Sequence, residues 1–437
     1  MEGTAQAPPE FEVPTFSQAL RVWTRVGLLS FGGPAAQIAL MHRVIVEEKR
    51  WLAEPQFLSA LSFCMLLPGP EAMQLATYVG WRLHGVRGGL AAGLLFVLPG
   101  AFVVLALSLI YAAFGNLPVV TALFLGIKSA VLVIVVEALL RIGRRALARP
   151  EHWAVAAIAF VAIFFFAMPF PVIVLAAAIF GFLRAGSGKP GEGTGARLPR
   201  LAGQTVRTIA LWLAIWFLPL AGLAAIFGRA HILAQLGWFF SRLAVVTFGG
   251  AYAVLAYMSQ DVVVHHHWLE AGQMMDGLGL AETTPGPLIL VTEFVGFLAA
   301  WRHGGGLPWG MGLLGAFVAL WATFAPCFLW IFAGAPYIDW ITRQPRLKGA
   351  LNGITAAVVG VILNLAVWFS LHVFFAKVTA LQAGPLLLWT PDPSSLDFRV
   401  VALAGLSAIL LLYRHWNIAG VLALSSAAAL VMKFALG

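Results

Sequence analysis

The sequence predicts an all-α polytopic membrane protein: two inverted-topology repeats, helices broken at P-G-P, and roughly 10 to 13 spans. Three observations predict it. The 437-residue chain is 61% hydrophobic and only 10% charged, where a soluble chain carries about 25% charged residues. Apolar stretches of about 20 residues, enough to cross a bilayer as helix, recur along its length. A set of short motifs also occurs twice.

The duplication is read from motif pairs at one offset. "SFGGPAAQIAL" from Ser30 recurs as "TFGGAYAVLAY" from Thr247, "LPGP" from Leu67 as "TPGP" from Thr284, and "RWL" from Arg50 as "HWL" from His267, each 217 positions on. "YVGW" from Tyr78 then matches "FVGF" from Phe294. "LGIKSAVLVIVVEAL" from Leu125 matches "NGITAAVVGVILNLA" from Asn352, the offset having grown to 227.

In chain order, residues 1–15 read as a disordered cytoplasmic tail, without the basic and apolar regions of a secretory signal. Residues 16–150 form the first repeat. Residues 151–231 hold connecting spans near 153–167, 169–184 and 206–228, with a Gly-rich basic linker at 185–205. Residues 232–378 form the second, inverted repeat, and 379–437 add spans near 398–413 and 416–436.

Inversion is read from charge. The net charge of +9 would suggest nucleic acid in a soluble chain; here it reads as the Lys/Arg excess of cytoplasmic loops, and no nucleic-acid partner is expected. In the first half, basic residues cluster at 42–50, 82–87 and 141–149, while the turn "GNLP" from Gly115 has none. In the second half "QDVVVHHH" lacks Lys and Arg, and "APYIDWITRQPRLKG" carries Arg343, Arg346 and Lys348. The N-terminus is then cytoplasmic and the C-terminus periplasmic.

The apolar runs into each P-G-P are too short to cross about 30 Å. Proline removes a donor and clashes with the preceding turn, so each segment reads as two half-helices meeting at a break. Pro70 and Pro287 suit the first turn of the second half-helix. Amides near Glu71–Gln74 and Leu288–Leu290 are expected to face the break with partial positive charge. The F-G-G sites start helices at Pro34 and Ala251. Such breaks are tolerated only where protein or water satisfies the backbone, and helix starts bind oxyanions without a basic side chain. The expected substrate-binding set is therefore Gly32, Gly33, Pro34, Pro68, Gly69, Pro70, Glu71, Gly249, Gly250, Thr284, Pro285, Gly286 and Pro287, with Lys128. The alternative for P-G-P is a tight turn between short tilted helices.

Lys128 lies mid-span, where lysine costs roughly 2.5–3.5 kcal/mol. It either lines the pathway or pairs with an acid; Glu137 is half a turn away round the helix and does not suit. Glu71 reads as a helix N-terminal cap or as a coupling acid and gate. Arg25 and Arg242, equivalent positions before each F-G-G, either face the anion or contact interfacial phosphate. His265–His267 resembles a metal site, but neighbours on a helix point about 100° apart, so no metal is expected. "GGLAAG" from Gly88 suits close helix packing. Cys64 and Cys327 read as reduced core thiols. No Walker motif is present, so neither an ATPase nor a cofactor is expected.

Together "FGGP", "EEKRWL", "LPGPEAMQLATYVGW", "GLLFVLPGAF", "FGGAYAVL", "GLAETTPGPLILVTEFVGF", "FAPCFLWIFAGAPYI" and "ITAAVVGVILNLAVWF" resemble the chromate ion transporter family over most of residues 16–378. The second copy reads F-G-G-A, and Gln37 stands where many members have histidine. The resemblance implies a bacterial inner-membrane protein that exports chromate and confers resistance, with sulfate as competitor. No enzymatic activity is expected, and the expected partners are the lipid bilayer and a second copy of the chain in a homodimer. A sulfate or other oxyanion transporter, an anion channel of the same fold, and a membrane scaffold are the alternatives.

Overall fold

The computed structural model describes residues 14–185, 202–248 and 251–436. The tail up to residue 13, the linker at 186–201, and Gly249 and Gly250 lie outside the described residues.

The first repeat opens with α1 (Phe16–Leu29), whose Thr15 cap and Gln18 side chain bond each other's backbone amides. Gly32 and Gly33, at φ 86° and 77°, turn the chain into α2 (Gly33–His42), with Pro34 in its first turn. A π-helical turn, Arg43–Glu48, leads to α3 (Glu54–Met65). α3 stops before P-G-P, and α4 (Glu71–Phe114) starts directly after it. α4 is kinked at His84 and Gly85, where the backbone leaves helical geometry, and α5 (Pro118–Ala146) completes the repeat.

α6 (Pro150–Phe164), α7 (Phe170–Arg184) and α8 (Ala202–Phe227) connect the halves. α6 and α7, with 15 residues each, match the lengths read there and reach only about 22 Å, less than the roughly 30 Å hydrocarbon core. They form a hairpin.

The second repeat follows the same order: α9 (Ile232–Val246), α10 (Ala251–Gln260), a π turn at Asp261–His265, α11 (Ala271–Thr283), the break, and α12 (Val291–His303). Then come α13 (Pro308–Gly334), the short α14 (Ile338–Ile341) and α15 (Pro345–Phe374). The α6–α7 hairpin lies along α15, with the Gly349 and Gly353 backbone against Gly181. The repetition reaches single dihedrals. Both π turns are followed by a residue in the left-handed region, Arg50 at φ 51° and His267 at φ 52°, and these two positions sit at the 217 offset.

The C-terminal region departs from the all-helical expectation. Strands β1 (Val378–Ala383) and β2 (Leu386–Pro391) pair antiparallel before α16 (Phe398–Ala408) and α17 (Ile418–Leu436). Gly384, at φ 62°, supplies the positive φ that a two-residue hairpin turn needs.

Among the described residues six helices are long and apolar enough to cross a membrane, and four shorter helices are apolar. The chain is thus a multi-pass membrane protein. The core runs through both repeats, from Trp23, Phe57 and Phe63 in the first to Phe294, Phe297, Trp368 and Phe369 on α12 and α15 in the second, all buried.

Candidate functional site

The motifs of the two halves meet each other. The Gly69 amide donates to the Thr247 carbonyl at 2.9 Å, and the Gly286 amide donates to the Ser30 carbonyl at 2.8 Å. Each bond joins the P-G-P of one repeat to the residue before the F-G-G of the other. The two bonds exchange under the repeat relation, which is the signature of a local twofold axis.

Side chains brace both breaks. The Gln37 amide donates to the Gly286 carbonyl at 2.6 Å, and the Gln74 amide donates to the Pro68 carbonyl at 2.6 Å. Gly69 has φ 119°, and a Cβ there would fall 2.7 Å from Gln74 Nε2 and 2.9 Å from Cys327 Sγ. Not all the amides expected at the breaks are free: that of Gln74 donates to Pro70 and that of Leu290 to Pro287.

A cavity of about 800 Å³ opens beside the first break. Pro34 at the start of α2, Gly69 and Glu71 at the start of α4, and Ala251 and Tyr252 at the start of α10 line it. Three of the four expected helix starts therefore converge. The fourth does not: Thr284, Pro285, Gly286 and Pro287 are buried, and the Pro285 carbonyl packs against Gly100. Gly33, Pro68 and Pro70 adjoin lining residues without themselves lining the cavity, and Gly32 lies one residue further off.

Arg43, Arg141 and Arg145 also line it, with His42 and Glu47. Arg141 and Arg145 are one helical turn apart on α5. His42 lies between Glu47, at 3.2 Å, and Glu54, at 2.5 Å. Glu71 is the first residue of α4 and also faces the cavity, so its position suits both a cap and a gate. The Tyr252 hydroxyl donates to Glu282 at 2.8 Å.

The other expected cations lie elsewhere. Lys128 pairs with Asp276 at 3.4 Å, and the Tyr111 hydroxyl donates to the same carboxylate at 2.7 Å. Arg25 pairs with Glu48 at 3.3 Å and Arg242 with Asp261 at 3.2 Å. None of the three lines the large cavity. Cys64 and Cys327 are both free and buried. Among the described residues no group of three or more His, Cys, Asp or Glu side chains is placed to hold a metal ion. His265 instead bonds Asp261 at 2.7 Å, and His266 stacks on Trp268.

Sequence reasoning missed Asp276, Tyr111 and Tyr252, and took Arg141 and Arg145 for loop charges. An acid in "GQMMDGLGLAETT", within an apolar segment, and a lysine within another apolar span were the available signal for Asp276. The helical extension of α5 past residue 140 carries its arginines to the cavity, and no local pattern announces that.

A doubled membrane chain whose paired helix breaks interlock beside a charged cavity has the architecture of a membrane transporter. The model of the family described as chromate transporter matches residues 17–182 and 234–432, and the chain belongs to that family. It is 29% identical over 395 residues to a chromate transport protein of Cupriavidus metallidurans, covering 87% of this chain and 88% of that one. It is 32% identical over 369 residues to a chromate transport protein of Pseudomonas aeruginosa, covering 82% and 81% respectively. A probable chromate transport protein of Synechococcus elongatus is 29% identical, over 81% of this chain and 85% of that one. No solved structure matches the chain.

Proposed function

We propose that the chain carries chromate out of the cell across the bacterial inner membrane and so confers chromate resistance, with sulfate as a competing tetrahedral dianion. The observation that carries this reading is the cavity where three helix starts meet, in a chain whose relatives are named chromate transport proteins. The starts of α2, α4 and α10 offer partial positive charge to an oxyanion. Arg141 and Arg145 add full charge at the wall. The site comprises Pro34, Gly69 and Glu71, with Gly32, Gly33, Pro68 and Pro70 setting the backbone around them. The second P-G-P acts as the brace of the first F-G-G. Lys128, held by Asp276, belongs to the scaffold.

The cytoplasmic face is the one with the basic segments. Arg346 lies over Phe182, near Arg184 at the end of α7, which supports a shared face for both basic stretches. Lys433 donates to the Pro118 carbonyl beside the neutral "GNLP" turn, which supports a periplasmic C-terminus. A potential negative inside favours dianion export by roughly 4.6 kcal/mol per 100 mV, so the direction needs no coupled proton.

Uptake of labelled chromate into inverted vesicles tests the proposal. Saturable uptake, reduced by sulfate and lost in Gly69→Ala, is expected. Absence of saturable uptake by the parent chain would refute the function. Unchanged uptake by Gly69→Ala would refute the site alone.

A further inference from the structure

The large cavity has a small counterpart. A pocket of about 220 Å³ is lined by Arg242, Tyr257, Gln260, Asp261, His265 and Asn364. Its walls repeat those of the large cavity. Ala39 of α2 and Arg43 just after it line the large one, and their equivalents at the 217 offset, Ala256 and Gln260 of α10, line the small one. α15 contributes Leu351 and Thr355 to the large cavity and Val361 and Asn364 to the small one. From Thr355 to Asn364 that helix rises about 14 Å. The turn between α6 and α7, Ala167–Pro169, lines the small pocket, whereas the opposite end of α7 lies near Gly349. The two pockets therefore lie toward opposite ends of the same helices. Val254 and Leu255, fully buried in α10, separate the residues of that helix that face each pocket.

We propose that the small pocket is a second oxyanion subsite, the exit counterpart of the large cavity, held shut by the ion pair of Arg242 with Asp261. The proposal rests on the reading that this chain carries an oxyanion. Its lining suits that ligand: Arg242 supplies charge, and Gln260, Asn364 and Tyr257 supply hydrogen-bond donors. Closure is visible in the contacts. Arg242 Nη2 lies 3.2 Å from Asp261, and His265 Nδ1 lies 2.7 Å from the other oxygen of that carboxylate. Asn364 donates to Gln260 at 3.2 Å, and Phe170 stacks on Tyr257, both of them in the pocket wall. Arg242 is thus bonded to Asp261, and Asn364 to Gln260. The same arginine is freed for an anion when Asp261 releases it. The gate is built on one side only, because the equivalent of Asp261 is Val44. Arg25, the equivalent of Arg242, instead pairs with Glu48, clear of the large cavity.

Single cysteines at Ala39 and Ala256, in a chain with Cys64→Ala and Cys327→Ala, test this with a membrane-impermeant maleimide on vesicles of either orientation. Ala39→Cys is expected to react from one side and Ala256→Cys, slowly, from the other. Adding Asp261→Asn is expected to speed labelling of Ala256→Cys about fivefold, the shift that follows from losing an ion pair of this exposure. Sulfate or chromate is expected to protect Ala256→Cys in the Asp261→Asn chain but not once Arg242→Gln is added. Reaction of both cysteines from one side overturns the exit assignment. An unchanged rate with Asp261→Asn overturns the gate, with retained Ala39→Cys labelling as the control for folding. Absence of protection by either anion overturns the subsite. Opposite-sided labelling in a chain that shows no chromate uptake, but is protected by sulfate, keeps this inference and removes only chromate as the cargo.

Discussion

At the scale of single residues, Lys128 and Asp276 show how a membrane chain carries charge through an apolar span. Alone, each is costly in the bilayer. Together they form a pair with 25% and 5% side-chain exposure, to which Tyr111 adds a hydrogen bond. Removing one partner leaves the other uncompensated. Lys128→Met or Asp276→Asn is expected to destabilise by about 2–3 kcal/mol, somewhat less than for a fully buried pair because Lys128 keeps some exposure. Lys128→Met combined with Asp276→Leu is expected to recover most of the loss. Thermal unfolding in detergent measures this; a double variant no more stable than the worse single one would show that the pairing is not what holds Lys128. The sequence made the lysine conspicuous but not its partner, because Asp276 lies in the other repeat and only the interlocking of the halves brings it near. Gly69 was legible as a break from its flanking prolines. Its second constraint, contact with Gln74 and Cys327, was not. Gly69→Ala therefore meets both an unfavourable φ and a filled space.

Among the helices, the same crossing is built twice from glycines. Gly80 lies against the Gly88 backbone where the two parts of α4 fold together, and Gly296 of α12 lies against Gly315 of α13. Gly88 and Gly315 are equivalents at the 227 offset. Small residues let the backbones approach, which is how helices associate when lipid offers no competing hydrophobic force. Gly315→Val is expected to force α12 and α13 apart and to cost about 1–3 kcal/mol, as overpacking does. A lowered unfolding temperature with loss of monodispersity on size exclusion is the readout. The packing role of "GGLAAG" was legible from its spacing. The β-hairpin was not, although Gly384-Pro385 between two six-residue runs is a turn signal. Mean hydropathy dominates the reading of such a chain, and strands outside the spans are easily absorbed into it.

For the whole molecule, the two halves were legible because composition, motif offset and loop charge agreed on one architecture. Their unequal pockets were not legible, since repeats that share motifs and element order give no sequence sign of which half holds the larger one. The cationic wall of the larger cavity predicts how an anion enters. Arg141→Gln with Arg145→Gln is expected to raise the KM for chromate about three- to tenfold with a smaller change in kcat, and to weaken the dependence of KM on ionic strength. A fall in kcat at constant KM would instead assign the arginines to the transport step.

The bonds from Gly69 to Thr247 and from Gly286 to Ser30 also bear on how the protein is made. The acceptor for the first break, Thr247, is not synthesised until the second half begins to emerge. The first half thus waits in the bilayer with its break unlatched, and synthesis of the second half supplies the latch. Contact between the halves, rather than continuity of the chain, is then what closes the breaks. Two separately encoded halves that meet in one membrane contain every bond needed to close both breaks.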